Sequence, residues 1–136
     1  MQPKPSAQMR VGVRLRAVDR DTETAETLVQ HSPHSCESIR FSCQQLVEKY
    51  AKAVLITDGL PAPLIHVLMK LLVPLVQAFN IILDVAEMDS AAVLQDLAVE
   101  WRYKTDDTPS YTSAELLAMA HQFRDKLCPL ALAFLT

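Results

Sequence analysis

The sequence predicts an α/β fold: a small mixed sheet of about five strands, with a central right-handed βαβ unit and flanking helices. Three observations carry that prediction. Val54–Thr57 (VLIT) is a β-branched run with no polar side chain before Thr57, as in strands buried on both faces. Asn80–Val85 (NIILDV) is a second apolar run, and a long apolar stretch between the two has the length of a crossover helix. Met9–Ala17 (MRVGVRLRA) alternates apolar and polar residues, which is the period of a strand with one wet face. An all-α bundle is the alternative, because short apolar runs do not separate strand from buried helix.

In chain order, residues 1–8 predict a flexible tail, and 9–136 a single domain long enough to bury a core. After the alternating strand, Asp19–Thr24 reads as a turn. Ala25–Gln30 then reads as a returning strand or the start of a helix. His31–Cys36 is a loop into a helix, with Ser32 or Ser35 as cap. Across Cys36–Lys52, Ile39, Cys43, Leu46, Val47 and Tyr50 form an apolar stripe, and Glu48 and Lys52 form an i,i+4 pair on the polar side.

Asp58-Gly59 makes a turn after Val54–Thr57, and the prolines Pro61 and Pro63 lead into a helix running to Phe79. In that helix His66, Lys70 and Gln77 share one stripe, and Pro74 kinks it or ends its regular part. Asp89 is the predicted cap of a helix from Ser90 to about Trp101. Arg102–Tyr111 is polar loop. Thr112-Ser113-Ala114-Glu115 matches a capping box, followed by a buried face of Leu116, Leu117, Ala120, Phe123 and Leu127. Pro129 stops that helix, and Leu130–Leu135 is a last buried strand. No internal repeat is visible.

Composition limits function. The chain has two glycines, Gly12 and Gly59, which excludes a phosphate-binding Walker loop or a dinucleotide fingerprint. The net charge is −3, with a surplus of four positive charges in residues 1–20 and −7 in the remainder, so no broad nucleic-acid surface is expected. The uncharged run Leu71–Leu83 is 13 residues, short of a membrane span, and no secretory signal is evident. Three cysteines, Cys36, Cys43 and Cys128, without a CxxC pair predict free thiols and a cytoplasmic protein.

Asp58 and Asp84 fall at the carboxyl ends of the two proposed parallel strands, where α/β ligands collect. With Glu87 and Asp89 nearby that rim could hold Mg²⁺ or a general base; otherwise no cofactor is expected. The plainer reading is that Asp58 makes a turn and Asp89 caps a helix. His66 is a candidate acid/base facing the same rim, or the end of a polar stripe. His31, His34 and Cys36 have no second pair to complete a zinc site, and Cys36 at a helix N-terminus is a candidate nucleophile. Arg10, Arg14 and Arg16 are candidate ligand-binding residues for phosphate or carboxylate, or charges that protect a sheet edge. The aliphatic surplus in Leu60–Phe79 and Leu130–Leu135 points to a homo-oligomer or a protein partner.

Through VLITDGLPAPLIHVLMK and NIILD, residues 9–86 resemble the small CRISPR-associated ring-nuclease-like domains that bind cyclic oligoadenylates. The resemblance implies a small cyclic nucleotide as ligand and a catalytic or binding role for His66 and Asp84. It departs from the family where Val85, not proline, follows Asp84, and where two helices replace a later strand bearing histidine. Two functions are therefore expected: a binding or regulatory module acting through a protein partner or a second copy, and, as the alternative, a cyclic-oligoadenylate binder or ring nuclease.

Overall fold

The computed structural model describes residues 6–57, 59, 67–100 and 111–135. They form five helices: α1 (Ala7–His31), α2 (Cys36–Thr57), α3 (Leu68–Phe79), α4 (Val85–Glu100) and α5 (Ser113–Leu135). No strand occurs among the described residues. The α/β expectation is overturned, and the all-α alternative describes the molecule.

The central element is α2, the one helix that packs on all four others. It buries Ile39, Cys43, Leu46, Val47 and Tyr50 on the expected stripe, and then every residue from Ala51 to Ile56. This explains the error at Val54–Thr57: a helical turn surrounded on all sides is apolar throughout and loses the 3.6-residue period. The run continues α2 with no break after Lys52.

At Met9–Ala17 a local alternation concealed a longer period. The buried positions of α1 are Val11, Val18, Thr22 and Ala25, spaced seven, four and three apart, which is one helical stripe. Met9 and Val13, read as facing inward on a strand, are 63% and 57% exposed. Asp19–Gln30 is uninterrupted helix, since nothing in it breaks one. Ser6 caps α1, its side chain accepting from the Met9 amide at 3.1 Å. The hairpin to α2 is closed by the Ser32 amide donating to Leu28 O (2.7 Å) and by the Ser32 and Ser35 hydroxyls at 3.1 Å.

Asn80 ends α3 in the left-handed conformation (φ 52°), which asparagine tolerates better than most residues. Residues 81–84 connect to α4 without pairing as a strand. Asp84, not Asp89, caps α4: the Glu87 amide donates to Asp84 Oδ1 (2.7 Å), and the Asp84 amide to Glu87 Oε1 (3.2 Å). Asp89 is an exposed residue inside the helix. The expected capping box at Thr112–Glu115 is present, with reciprocal bonds of 3.0 and 3.1 Å. Leu116, Ala120, Phe123 and Leu127 are buried below it.

Pro129 does not stop α5, which continues through Leu130–Leu135, so no terminal strand forms. Pro129 and the residue one turn before it, Asp125, are exposed, and water can satisfy the carbonyl that proline leaves unpaired. Pro74 is likewise carried inside α3. The Asp58 turn, the prolines leading to α3 together with His66, and most of the 102–111 loop lie outside the described residues, as does Trp101. No described helix is long and apolar enough to cross a membrane.

Candidate functional site

The burial of α2 extends to charged residues. Arg40, Gln44, Glu48 and Lys52 recur every four residues and are all buried, forming a polar seam along one side of the helix. Lys52 Nζ donates to Glu48 Oε1 at 2.9 Å, and Gln44 Nε2 to Glu48 Oε2 at 3.1 Å. Arg40 crosses to α4, where its guanidinium donates to Leu94 O at 2.9 Å while Nε has no partner among the described residues. Desolvation pushes the Arg40 pKa down, against the pull of Glu37 and the Cys43 thiol. Such a seam fixes the rotation of α2 in the bundle, because turning the helix would leave its charges unpaired.

A thiol and a phenol buried elsewhere on α2 are held neutral. Burial raises the Cys43 thiol from an ordinary 9.0 to about 12, opposed by Arg40. Burial, with Cys128 and Asp19 adding to it, raises Tyr50 from 10.0 to about 12. Both groups keep their protons in the fold after the unfolded chain would release them. Their contribution to stability is therefore intact below pH 9 and is lost as pH climbs toward 12.

Several grooves open on the surface among the described residues, and two of them have floors of mostly apolar side chains. One, of about 510 Å³, lies along α1 and is lined by Met9, Val13 and Ala17 with Arg10, Arg14 and Lys49. The apolar residues are four apart and form one stripe; the arginines are one turn apart beside it. Lys49 pairs with Asp21. The guanidinium groups of Arg10 and Arg14 have no hydrogen-bonding partner among the described residues. Partial burial depresses the Arg14 pKa, Arg10 depresses it further, and the seam carboxylate Glu48 pulls the other way.

The second groove, of about 280 Å³, lies between α3 and α4 and is lined by Leu72, Val73, Val76, Gln77, Leu83 and Met88, with no charged residue. Val73 is 49% exposed, and the connection from α3 to α4 leaves Ile82 82% and Val85 77% exposed. That connection is fastened from α5. Lys126 Nζ donates to Ile82 O at 2.7 Å and lies 2.6 Å from both carboxylate oxygens of buried Glu87, aligned to donate to Oε1. At the other end, Gln95 Oε1 accepts from the Leu68 amide (2.9 Å), supplying the cap that Val67 cannot.

Of the residues the sequence singled out, Arg10 and Arg14 are brought together, whereas Arg16 lies back over Gly12 and does not line the groove. Asp84 is a helix cap, Glu87 an ion-pair partner. Asp58 and His66 lie outside the described residues. His31 and His34 are exposed, and Cys36 Sγ donates to Pro33 O at 3.4 Å. His121 lies 3.1 Å from Glu26 on α1. Among the described residues no three His, Cys, Asp or Glu side chains cluster as metal ligands, and all three cysteines are free. Sequence reading missed the buried seam, although its four-residue spacing from Arg40 to Lys52 was visible; only its last pair was noticed, and assigned to solvent.

The family model for the HEPN domain matches residues 12–128. No curated protein and no solved structure matches the chain. HEPN is a helical domain family, and the match overturns the resemblance to ring-nuclease-like domains. The stretches that carried that resemblance, Val54–Thr57 and Asn80–Asp84, are here the end of a buried helix and a connection between helices.

Proposed function

We propose that this chain, which belongs to the HEPN domain family, works as a helical binding module that pairs with a second copy of itself. HEPN domains occur often in CRISPR-associated or toxin–antitoxin systems. The observation that carries the reading is the uncharged apolar face of α3, α4 and their connection. Val73, Ile82 and Val85 stand in water beside one uncharged groove, and burying the largely exposed Ile82 and Val85 would contribute up to about 1.5–3 kcal/mol each. A two-fold interface sets a patch against itself, so it must be self-complementary. A groove lined by five apolar residues and Gln77 meets the electrostatic part of that condition, since no like charges are opposed.

Sedimentation equilibrium of the purified chain tests this directly. The expected result is a dimer at micromolar concentration that the Val73→Asp/Ile82→Asp variant converts to monomer with helical circular dichroism unchanged. A wild-type chain that stays monomeric at tens of micromolar overturns the proposal.

A further inference from the structure

We propose that the groove along α1 is a second, separate docking site, and that its occupant is an acidic amphipathic segment of a protein partner whose carboxylates are taken by Arg10 and Arg14. Among the described residues α1 packs only on α2 and α5, which leaves the flank bearing Met9, Val13 and Ala17 open. An apolar floor in that position favours an occupant with apolar side chains. The charges at its edge determine the rest.

Arg10 and Arg14 stand one helical turn apart, beside the floor and unpaired among the described residues, while the groove's third cation is already matched by Asp21. Each guanidinium can take a carboxylate in a two-pronged arrangement. An incoming anion would also relieve the repulsion between the two arginines, which the partial burial of Arg14 makes worse. Carboxylates spaced to reach both are those at i and i+3 or i+4 of a helix, with apolar residues along the adjoining stripe to enter the groove.

The same features argue against other occupants. A nucleic-acid backbone brings phosphates but no apolar side chains, so it would leave the floor of Met9, Val13 and Ala17 uncovered. A second copy presenting this same groove would oppose like charges. Steering by the two arginines would also make association sensitive to salt.

The test is fluorescence anisotropy on the full chain with three labelled probes. One is a fifteen-residue helical peptide with leucine at i, i+4, i+7 and i+11 and glutamate flanking that stripe. The second is the same peptide with glutamine for glutamate, and the third a fifteen-nucleotide single-stranded RNA. Saturable binding of the glutamate peptide is expected, at least tenfold tighter than the glutamine peptide and weakened by added salt. The Arg10→Gln/Arg14→Gln variant should lose at least tenfold and Val13→Asn severalfold, each with an unchanged thermal midpoint. Should the double variant unfold, Arg10→Gln alone decides, since Arg10 is exposed. The proposal is overturned if the two peptides bind equally, if the glutamate peptide does not bind, if the arginine variants bind it as well as wild type, or if RNA binds more tightly than the peptide. The monomeric Val73→Asp/Ile82→Asp variant should bind the glutamate peptide undiminished, so failure of either docking surface is read independently of the other.

Discussion

The α1 flank and the α3–α4 face are both apolar, yet they invite opposite partners. Met9 and Val13 lie beside two arginines whose side chains form no ion pair among the described residues, whereas Val73, Ile82 and Val85 adjoin a groove without charge. Apolar area alone would rank them as similar; the rim decides which surface can meet its own copy and which needs a partner of opposite sign. They also differ in construction. The cationic flank lies on one continuous helix, while the neutral face is assembled from two helix ends and a connection fastened by Lys126, Asp84 and Glu87.

That difference in construction can be broken selectively. The largest effect is expected from Lys126→Ala, which removes the clasp on Ile82 and leaves the buried Glu87 carboxylate without its cation. It should cost about 2–3 kcal/mol in chemical denaturation and weaken self-association, with peptide binding on α1 preserved. Hydrogen exchange should rise at residues 81–88 and stay unchanged at 8–17; a uniform rise would mean that the two regions are not independently built.

Asp84→Ala sharpens the same point at smaller scale. Loss of the cap should lower stability by about 1 kcal/mol, and Asp84→Asn should recover most of it, because asparagine caps nearly as well. A carboxylate with a chemical role would not be rescued by the amide.

On the other side, Gly12→Ala should stabilise α1 by about 0.5–1 kcal/mol. The added methyl would meet only the Arg16 guanidinium, at an ordinary 3.7 Å. A higher melting midpoint with unaltered peptide binding would show that this flank tolerates stiffening; a lower midpoint would contradict the helical register assigned to Met9–Ala17.

How much of this was legible varied with the length of the signal. The stripe from Ile39 to Tyr50 spans three turns, and the box at Thr112 and Glu115 has a fixed spacing, so both were readable from residue order. Val54–Thr57 and Leu130–Leu135 were not, because a short apolar run looks the same in a sheet interior and in a helix. Met9–Ala17 misled for the opposite reason. Its alternation is real, but it arises from exposed apolar residues with a binding surface to form, while Val11, Val18 and Ala25 carry the core at longer intervals. For the candidate site, Arg10 and Arg14 could be singled out by type and crowding. Their separation from Arg16 could not, since that depends on 100° per residue rather than 180°.

One contact at the foot of the bundle has a topological consequence. Gln8 Nε2 donates to Phe134 O at 3.3 Å, so the start of α1 and the end of α5 emerge side by side. A short linker could therefore join them, and the chain could be reopened in the Ser32–Ser35 hairpin as a circular permutant with the same packing. A segment joined directly at Ser6 or at Leu135 would issue next to Met9 and Arg10. Tethered there by a short flexible linker, an acidic segment would meet the α1 groove at an effective concentration of roughly millimolar, enough for a weak intrinsic affinity to act as a latch.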